Sequence, residues 1–586
     1  MNISEFAERI VFGTTLNEKL SRPENLRSDH VPTSAAVIKS LPNPARPAGL
    51  EMQSGPGAAQ PPHDSELNNE TARGKLLHFL ANHELLATEL MALVLLKFPD
   101  APHAFRQGVL VTLQEEQEHT HMYLRRMQEC GVEFGSYPLS GHFWRIVEPM
   151  QSPMDFVSRL SLTFEQANLD YSFHFASVFD EIGDTHTAAI LKQIYKDEIG
   201  HVRHGLQWFR KWKQPDLSDW EAYEKSLDFP MSPQRARGPR ETFNRAGRLE
   251  AGLTQDFIDN IELYRQSRGR TPTVRWFDPA AEAELAGELS ASQQSLMQQL
   301  GQDLEMLQVA LSQQDDVVLV RRLPSQALQR KILEAGLELP ELVLFSDRSK
   351  LAERKLNRLS PWAWTPKNHE FAGPLVPIVR ETPPPWNENA TDLFRKSWIT
   401  QQQLSWLAQA DAPSYFAGGD TIGVVVESID DVQSALARFS DRGFANAIFK
   451  QDLATSGRGQ RRLSCLAPLE NTDIKWLEQA FRSQIGVIEP ELNRVVDLSF
   501  LWHLSPQRPQ PRFLGWTRPL VADGRRYTGT VLGRPFDNCD RDIVRLLLSD
   551  SCQKLHDTRA WIEGCVTPTL IEHKFHGCFG VDAFVY

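Results

Sequence analysis

"EEQEHTH", residues 115–121, gathers three carboxylates and two histidines in seven residues. It reads as Glu116-x-x-His119 or as Glu118-x-x-His121, and the choice of frame decides the fold. On a helix, residues at i, i+3, i+4 and i+7 share a face. The face of Glu116 and His119 also carries Val109, Leu113, Tyr123 and Met127, whereas that of Glu118 and His121 carries Val111, Gln114 and Arg125. The first face is the more apolar. Glu116 and His119 are therefore expected to point into a core, with Glu115, Glu118 and His121 toward solvent. An ionised carboxylate buried without a partner is costly, and a metal ion is a partner that suits both groups.

Reading outward, residues 71–213 are helical in pattern, with segments near 71–97, 102–130, 152–180 and 184–213. "FPDAPHAF" breaks the first pair. "EIGDTHTA" breaks the second, with Asp184 or Thr185 as its N-cap. A longer crossover, "GVEFGSYPLSGHFW", joins the pairs, which is the layout of a four-helix bundle. The fourth segment repeats the device as Glu198-x-x-His201 in "KDEIGH", on a face with Ile190, Ile194, Gly205 and Trp208. The third carries Glu165 with Leu162, Leu169 and Phe173, and the first carries Glu84 with Leu77, Leu80, Met91 and Leu95. Glu84 precedes Glu116 by 32 residues, and Glu165 precedes Glu198 by 33. Two hairpins of matched spacing thus put four carboxylates and two histidines at similar depth. One Glu from each of two helices plus Glu-x-x-His from the other two is the di-iron or di-manganese carboxylate pattern. Glu89 is the rival to Glu84 and ranks second, because its spacing of 27 residues from Glu116 breaks the match. Tyr123 and Tyr195 lie one turn from His119 and Glu198 and read as core aromatics.

"EFAERIVFGTTLNEKL", "NHELLATEL", "FPDAPHAF", "EEQEHT", "LTFEQANLDYSFHF" and "DEIGHVRHGLQWF" together resemble the ferritin-like proteins of the group called DUF455, distant relatives of the tRNA-hydroxylating di-iron enzymes. The resemblance spans about residues 1–270. It implies a ferritin-like fold with Glu84, Glu116, His119, Glu165, Glu198 and His201 as ligands of two iron or manganese ions. It supplies no substrate.

The chain has 586 residues, more than one core accommodates. Apolar residues at 41% and charged residues at 24% are ordinary for a globular protein, and the net charge of −12 gives no support for nucleic-acid binding. The N-terminus lacks the basic region and apolar stretch of a signal peptide, and no apolar run is expected to approach the roughly 18–20 residues that span a bilayer. Six cysteines without a Cys-x-x-Cys pair fit a reducing cytoplasm. The expected organisation is an extension over 1–70 with a Pro/Gly-rich segment, a bundle over 71–213 and a helical connection over 214–270. An α/β domain over 271–390 and a second over 391–586 follow, where runs such as "TVRWF", "DVVLV" and "ELVLF" alternate with helical stretches.

In the last region "IFKQDLATSGRGQRRL" joins an apolar strand bearing Lys450 to a loop, Ser456-Gly457-Arg458-Gly459. Glycines let backbone N–H groups close around phosphate oxygens, and the lysine adds charge. "IGVIEPELNRVVDLSF" is a strand ending in Glu489, and "GCFGVDAFVY" is a last strand bearing Asp582. Together these resemble the ATP-grasp ligases, with residues 271–380 similar to the preceding subdomain of such enzymes. The resemblance implies that Lys450 and Ser456, Gly457, Arg458 and Gly459 meet the phosphates of ATP. It also implies that Glu489 lies at the nucleotide hinge and that Asp582 binds magnesium. ATP-grasp ligases follow the last strand with a Glu-x-Asn pair, which this sequence lacks before Tyr586. Poor turnover by this chain alone is therefore expected, with the missing acid supplied by a partner or from elsewhere in the chain, or with a module that binds without reacting. The expected protein is a di-iron oxidase or oxygenase joined to a carboxylate–amine ligase-like module, acting on a small molecule or peptide. The alternative is a non-catalytic metal-binding scaffold with a degenerate nucleotide module.

Overall fold

A computed structural model describes the chain apart from residues 24, 27–37, 39, 54–60, 229, 230, 268, 269, 288, 384, 385, 387, 410, 455–458, 506, 507, 523–525, 532–535 and 537. It divides into two compact units, Met1–Gln266 with Pro324–Glu341, and Ser267–Leu323 with Leu342–Tyr586.

In the first unit, α1 (Ile3–Phe12) and α2 (Leu16–Leu20) precede two long helices, α3 (Glu70–Lys97) and α4 (His103–Glu129). A π-helical segment, Val157–Glu165, leads into α5 (Gln166–Glu181), and α6 (Thr185–Trp212) follows after a three-residue turn. The ends are set by local chemistry. Asn69 accepts from the N–H of Ala72, and Asp184 accepts from that of Thr187 at 3.0 Å, which makes Asp184 the cap of α6. The other oxygen of Asp184 takes Arg126 at 2.9 Å, so the cap also fastens α6 to α4.

Short turns make α3 and α4 one antiparallel hairpin, and α5 and α6 another. The π-helical stretch departs from the regular helix expected there. Its wider turn is visible where Thr163 Oγ1 donates to the carbonyl of Ser158, five residues back. It packs against α6 at Gly205, where a Cβ would lie 2.2 Å from that of Ser161. The helices bury two apolar clusters, one around Leu90, Leu113, Leu162 and Val202, the other around Leu77, Tyr123, Phe179 and Ile194. The Glu and His positions of the motifs fall between them along the helices.

Contrary to expectation, α3 is long and apolar enough to cross a membrane, but 83% of its apolar window is buried in the protein. Ile3, Phe6, Ile10 and Val11 of α1 join the same core, so the start of the extension is part of the fold. Two further helices, α7 (Arg245–Glu250) and α8 (Gln255–Leu263), pack on this unit, and α9 (Gln326–Glu334) joins them. Arg330 of α9 pairs with Asp259 at 2.6 Å and Glu262 at 3.1 Å.

The second unit holds three sheets that concern the site. β1 (Thr273–Trp276), β2 (Val317–Val320), β3 (Glu341–Leu344), β4 (Leu356–Pro361) and β5 (Val379–Glu381) form a sheet in the order β3-β2-β1-β4-β5, with β1 parallel to β2 and β4. β2 is buried along its whole length, as a strand covered on both faces must be. β6 (Val424–Val426), β7 (Asn446–Gln451), β8 (Gln460–Ser464) and β9 (Gly486–Pro490) form an antiparallel sheet in the order β8-β7-β9-β6. Its apolar side is covered by α10 (Ile429–Asp441) and α11 (Asn471–Phe481). β10 (Val496–Ser505), β11 (Arg508–Thr517) and β12 (Gly577–Val585) form the third, with β10 central. Strict alternation along β10 buries Leu498, Phe500, Trp502 and Leu504 with apolar residues of α12 (Arg541–Glu572). The opposite face is partly open, half-buried along β10 and exposed at Arg512, Cys578, Gly580 and Asp582.

Candidate metal centre

The four long helices bring Glu84, Glu116, His119, Glu165, Glu198 and His201 together, each of them no more than 5% exposed. Ligand atoms of Glu84, Glu116, His119 and Glu198 lie within 4.8 Å of one another, and those of Glu116, Glu165 and His201 form a second such group. Glu116 belongs to both. Its Oε2 is 3.4 Å from His119 Nδ1, and its Oε1 is 3.1 Å from His201 Nδ1. The two imidazoles are 5.8 Å apart between centroids.

The donor set fits metal ions on its own chemistry. Glu116 Oε2, Glu198 Oε2, both carboxylate oxygens of Glu165, and Nδ1 of His119 and His201 are buried without a hydrogen-bond partner. Polar atoms in such places are ordinarily satisfied. Here they converge, and hard carboxylates with imidazoles suit iron or manganese.

Each histidine is aimed from behind. His119 Nε2 is 3.2 Å from Asp197 Oδ2, and His201 Nε2 is 2.9 Å from Glu115 Oε2. Asp197 precedes Glu198, and Glu115 precedes Glu116, so each Glu-x-x-His helix braces the histidine of the other. A proton on Nε2 leaves Nδ1 free to face inward. Asn168, one turn after Glu165, donates to Glu198 Oε1 at 2.6 Å. These three residues were missed in the sequence. Asn168 carries no signal, but the repeated acid-Glu-x-x-His of "EEQEH" and "DEIGH" does. Glu115 keeps a side chain 43% exposed, as a solvent-facing residue should, and also reaches His201 Nε2. Glu118 meets Arg125 at 3.3 Å, and His121 Nε2 lies 3.3 Å from the Leu20 carbonyl, both away from the cluster.

The charges respond to the enclosure. Burial, then the adjacent Glu116, raises the Glu84 carboxyl well above the usual range. Burial pushes Glu165 up to about 8. Glu116 is held well below its usual range against burial, by Glu84, His119 and His201. Burial opposes charge on both histidines, but Asp197 and Glu116 for His119, and Glu115 and Glu116 for His201, hold them well above theirs. Metal ligands bind in their deprotonated forms, so a bound metal would compete with protons at these groups.

Glu89 is occupied elsewhere. It is fully buried, 2.9 Å from Lys19 Nζ and 2.7 Å from Arg46 Nη2, and Lys19 also donates to the Ile10 carbonyl at 2.7 Å. It fastens the N-terminal extension to α3. Tyr123 is buried near Glu84, Glu198 and Glu116. Tyr195 bonds to Asn244 at 3.0 Å.

In the second unit, Lys450 on β7 and Glu489 on β9 are ion-paired to each other across adjacent antiparallel strands, both partly exposed. Gly459 accepts from the N–H of Gln451 at 2.9 Å and adopts φ +65°, a conformation glycine takes without strain. Ser456, Gly457 and Arg458 lie outside the described residues. Asp582 is exposed on β12, opposite Ser499 in a different sheet.

A search of curated protein sequences gives no match. Among solved structures, the chain is similar to N5-carboxyaminoimidazole synthetase from Staphylococcus aureus complexed with ADP, at 12% identity and TM-score 0.29, over 55% of this chain and 69% of that one. It is similar to D-alanyl-alanine synthetase A from Vibrio cholerae at 11% identity and TM-score 0.29, over 54% and 85%. A biotin carboxylase–β-γ-ATP complex from Campylobacter jejuni gives 11% identity and TM-score 0.31, over 54% and 62%. A family model described as "Protein of unknown function (DUF455)" matches residues 12–259, the segment that carries the six clustered side chains.

Proposed function

We propose that the helical unit is a ferritin-like dinuclear centre for iron or manganese that serves an oxidase or oxygenase. The observation that carries this reading is the set of buried, unpartnered carboxylate and imidazole atoms converging from four helices. Two such ions would supply activation of dioxygen and oxidation of a bound substrate. The chain's own residues do the rest. Glu116 lies between the two histidines and can serve both metal positions. Asp197 and Glu115 hold the imidazoles in orientation, and Asn168 holds Glu198. The two apolar clusters keep bulk water from the cage. Metal analysis of the purified chain, followed by measurement of dioxygen uptake with ferrous iron, tests this. About two metals per chain with uptake supports it; an empty or single-metal bundle refutes it.

The C-terminal region we read as an ATP-grasp-like module of carboxylate–amine ligase type, taking ATP and magnesium. Lys450 and Glu489 on neighbouring strands, with the Gly459 turn beside them, support this reading. Its substrate would be a small molecule or peptide shared with the metal centre, with a partner completing the magnesium site at Asp582. One observation favours the alternative of a degenerate nucleotide module on a metal-binding scaffold: Lys450 already has a carboxylate partner in Glu489. Calorimetry with ATP and magnesium separates the two, since a degenerate pair gives no binding.

A further inference from the structure

The open face of the three-stranded sheet in the second unit carries a group of cations that the readings above do not use. Arg512 of β11, His503 of β10 and Cys578 of β12 lie in register across the three strands. Trp502 and Leu504, on the other side of β10, are buried in the core, so His503 and its neighbours are turned to the open face. Two more arginines come from the parallel sheet of the same unit. Arg275 on β1 stands opposite Ser360 of β4, to which it donates at 3.2 Å, and Arg358 lies two residues back along β4. The charges of Arg358, Arg512 and Arg275 all bear on His503, and together with burial, the largest cause, they depress its basicity.

Among the described residues, these cations lack the counter-charges that the unit provides elsewhere. Arg321 has Glu305, Arg395 has Asp452, Arg461 has Asp473 and Arg462 has Glu491. By contrast, the Nε atoms of Arg275 and Arg358 are buried with no hydrogen-bond partner. The acid whose charge reaches Arg275 is Asp316, and it is already taken by Arg270 at 2.6 Å and by the N–H of Thr273 at 3.0 Å. Guanidinium groups near one another without a counter-charge repel. A carboxylate or phosphate, whose oxygens match the guanidinium fork, removes that repulsion.

We propose that Arg275, Arg358, Arg512 and His503 form an oxyanion-binding site for the carboxylate or phosphate group of a small-molecule ligand. The site rests on the arginines and the strand register. In the ligase reading of this unit, on which only the ligand's role depends, that ligand is the substrate. Asp582 lies on the same face of β12, four residues from Cys578. At about 3.3 Å per residue that is about 13 Å along the strand. A molecule anchored by its anionic end at the arginines would extend along this face toward Asp582, past Leu501, whose side chain lies beside Gly580.

The test is calorimetric titration of the full chain with inorganic phosphate and, separately, with succinate, which tells a phosphate site from a carboxylate site. Saturable binding of either is expected. Arg358→Gln should weaken it by about tenfold or more, the loss of a charge-assisted pair. Arg462→Gln, whose arginine is neutralised by Glu491, should leave it unchanged. If Arg358→Gln fails to fold, Arg512→Gln at an exposed position carries the same expectation. No binding of either anion, or equal binding by all variants, overturns the proposal. ATP titrated in parallel separates it from the ligase reading. Anion binding without ATP binding leaves this site standing and removes that reading. ATP binding lost in Lys450→Met but kept in Arg358→Gln, with no binding of either anion, does the reverse.

Discussion

The helical cage and the Lys450–Glu489 pair both set charged side chains on neighbouring elements, yet they are satisfied in opposite ways. In the cage, six groups are sealed from water and several of their polar atoms have no partner within the protein. In the sheet, lysine and glutamate are partly exposed and neutralise each other. Enclosure makes an unpartnered polar atom expensive, so the cage holds together as a folded object through protons or cations. A half-exposed ion pair has no such need. The comparison teaches that the strength of a site signal lies in what the surrounding protein leaves unpaired, and residue type comes second.

The largest effect that can break this contrast is at Glu116. Because it faces both histidines, Glu116→Ala should empty both metal positions, where Glu118→Ala should leave metal content unchanged. Elemental analysis of the two purified variants reads this directly, and equal losses would mean that the wrong helical frame faces the core.

Next is Glu89, a buried acid of the other kind, fully paired within the protein. Glu89→Gln strands Lys19 and Arg46 in the core and should cost about 3–5 kcal/mol of stability, the range for breaking a buried ion pair. Chemical denaturation measures it. Metal content of the folded fraction should stay the same; loss of metal with little loss of stability would make Glu89 the ligand of α3.

The braces behind the histidines come third. Asp197→Asn and Glu115→Gln should each reduce metal affinity by about 10–100-fold, with the fold retained, as the imidazoles lose their orientation. Competition with a chelator of known affinity quantifies it. Unequal effects would show that the two halves of the cage are less equivalent than their reciprocal geometry.

Smallest is the effect on stability of Lys450→Met. An ion pair with side chains 19% and 27% exposed is screened, and its loss should change stability by about 1 kcal/mol or less. The same variant should abolish ATP binding under the ligase reading, so the pair of measurements, thermal unfolding and nucleotide titration, sharpens the distinction between a structural contact and a site.

How much was legible follows the same line. The first, second and fourth helical segments read from 71–213 fall within about two residues of the observed ends, and the third, read as 152–180, is a run of a short helix (Pro153–Phe156), the π-helical stretch and α5; the apolar faces repeat at the helical period and the breaks carry turn residues. The frame of "EEQEHTH" followed from the same periodicity, and the observed burial of Glu116 and His119 agrees with it. The π-helical stretch before Glu165 was not legible, since its wider turn depends on the gap that Gly205 leaves on another helix.

By itself, the sequence determined which residues share a helix face, at what depth they lie, and that two hairpins carry the same donors at matched spacing. Those are consequences of a fixed rise and turn per residue, and they need no neighbour. Only the tertiary structure places Glu84 in the cluster and pairs Glu89 instead with Lys19 and Arg46, which reach it from the N-terminal extension. Only it revealed that Glu115 and Asp197 brace each other's histidines, that Lys450 and Glu489 are joined, and that Arg512 stands in register with His503. Each of these is a meeting between elements distant in the chain. Packing sets who meets whom, and local periodicity carries no information about the partner.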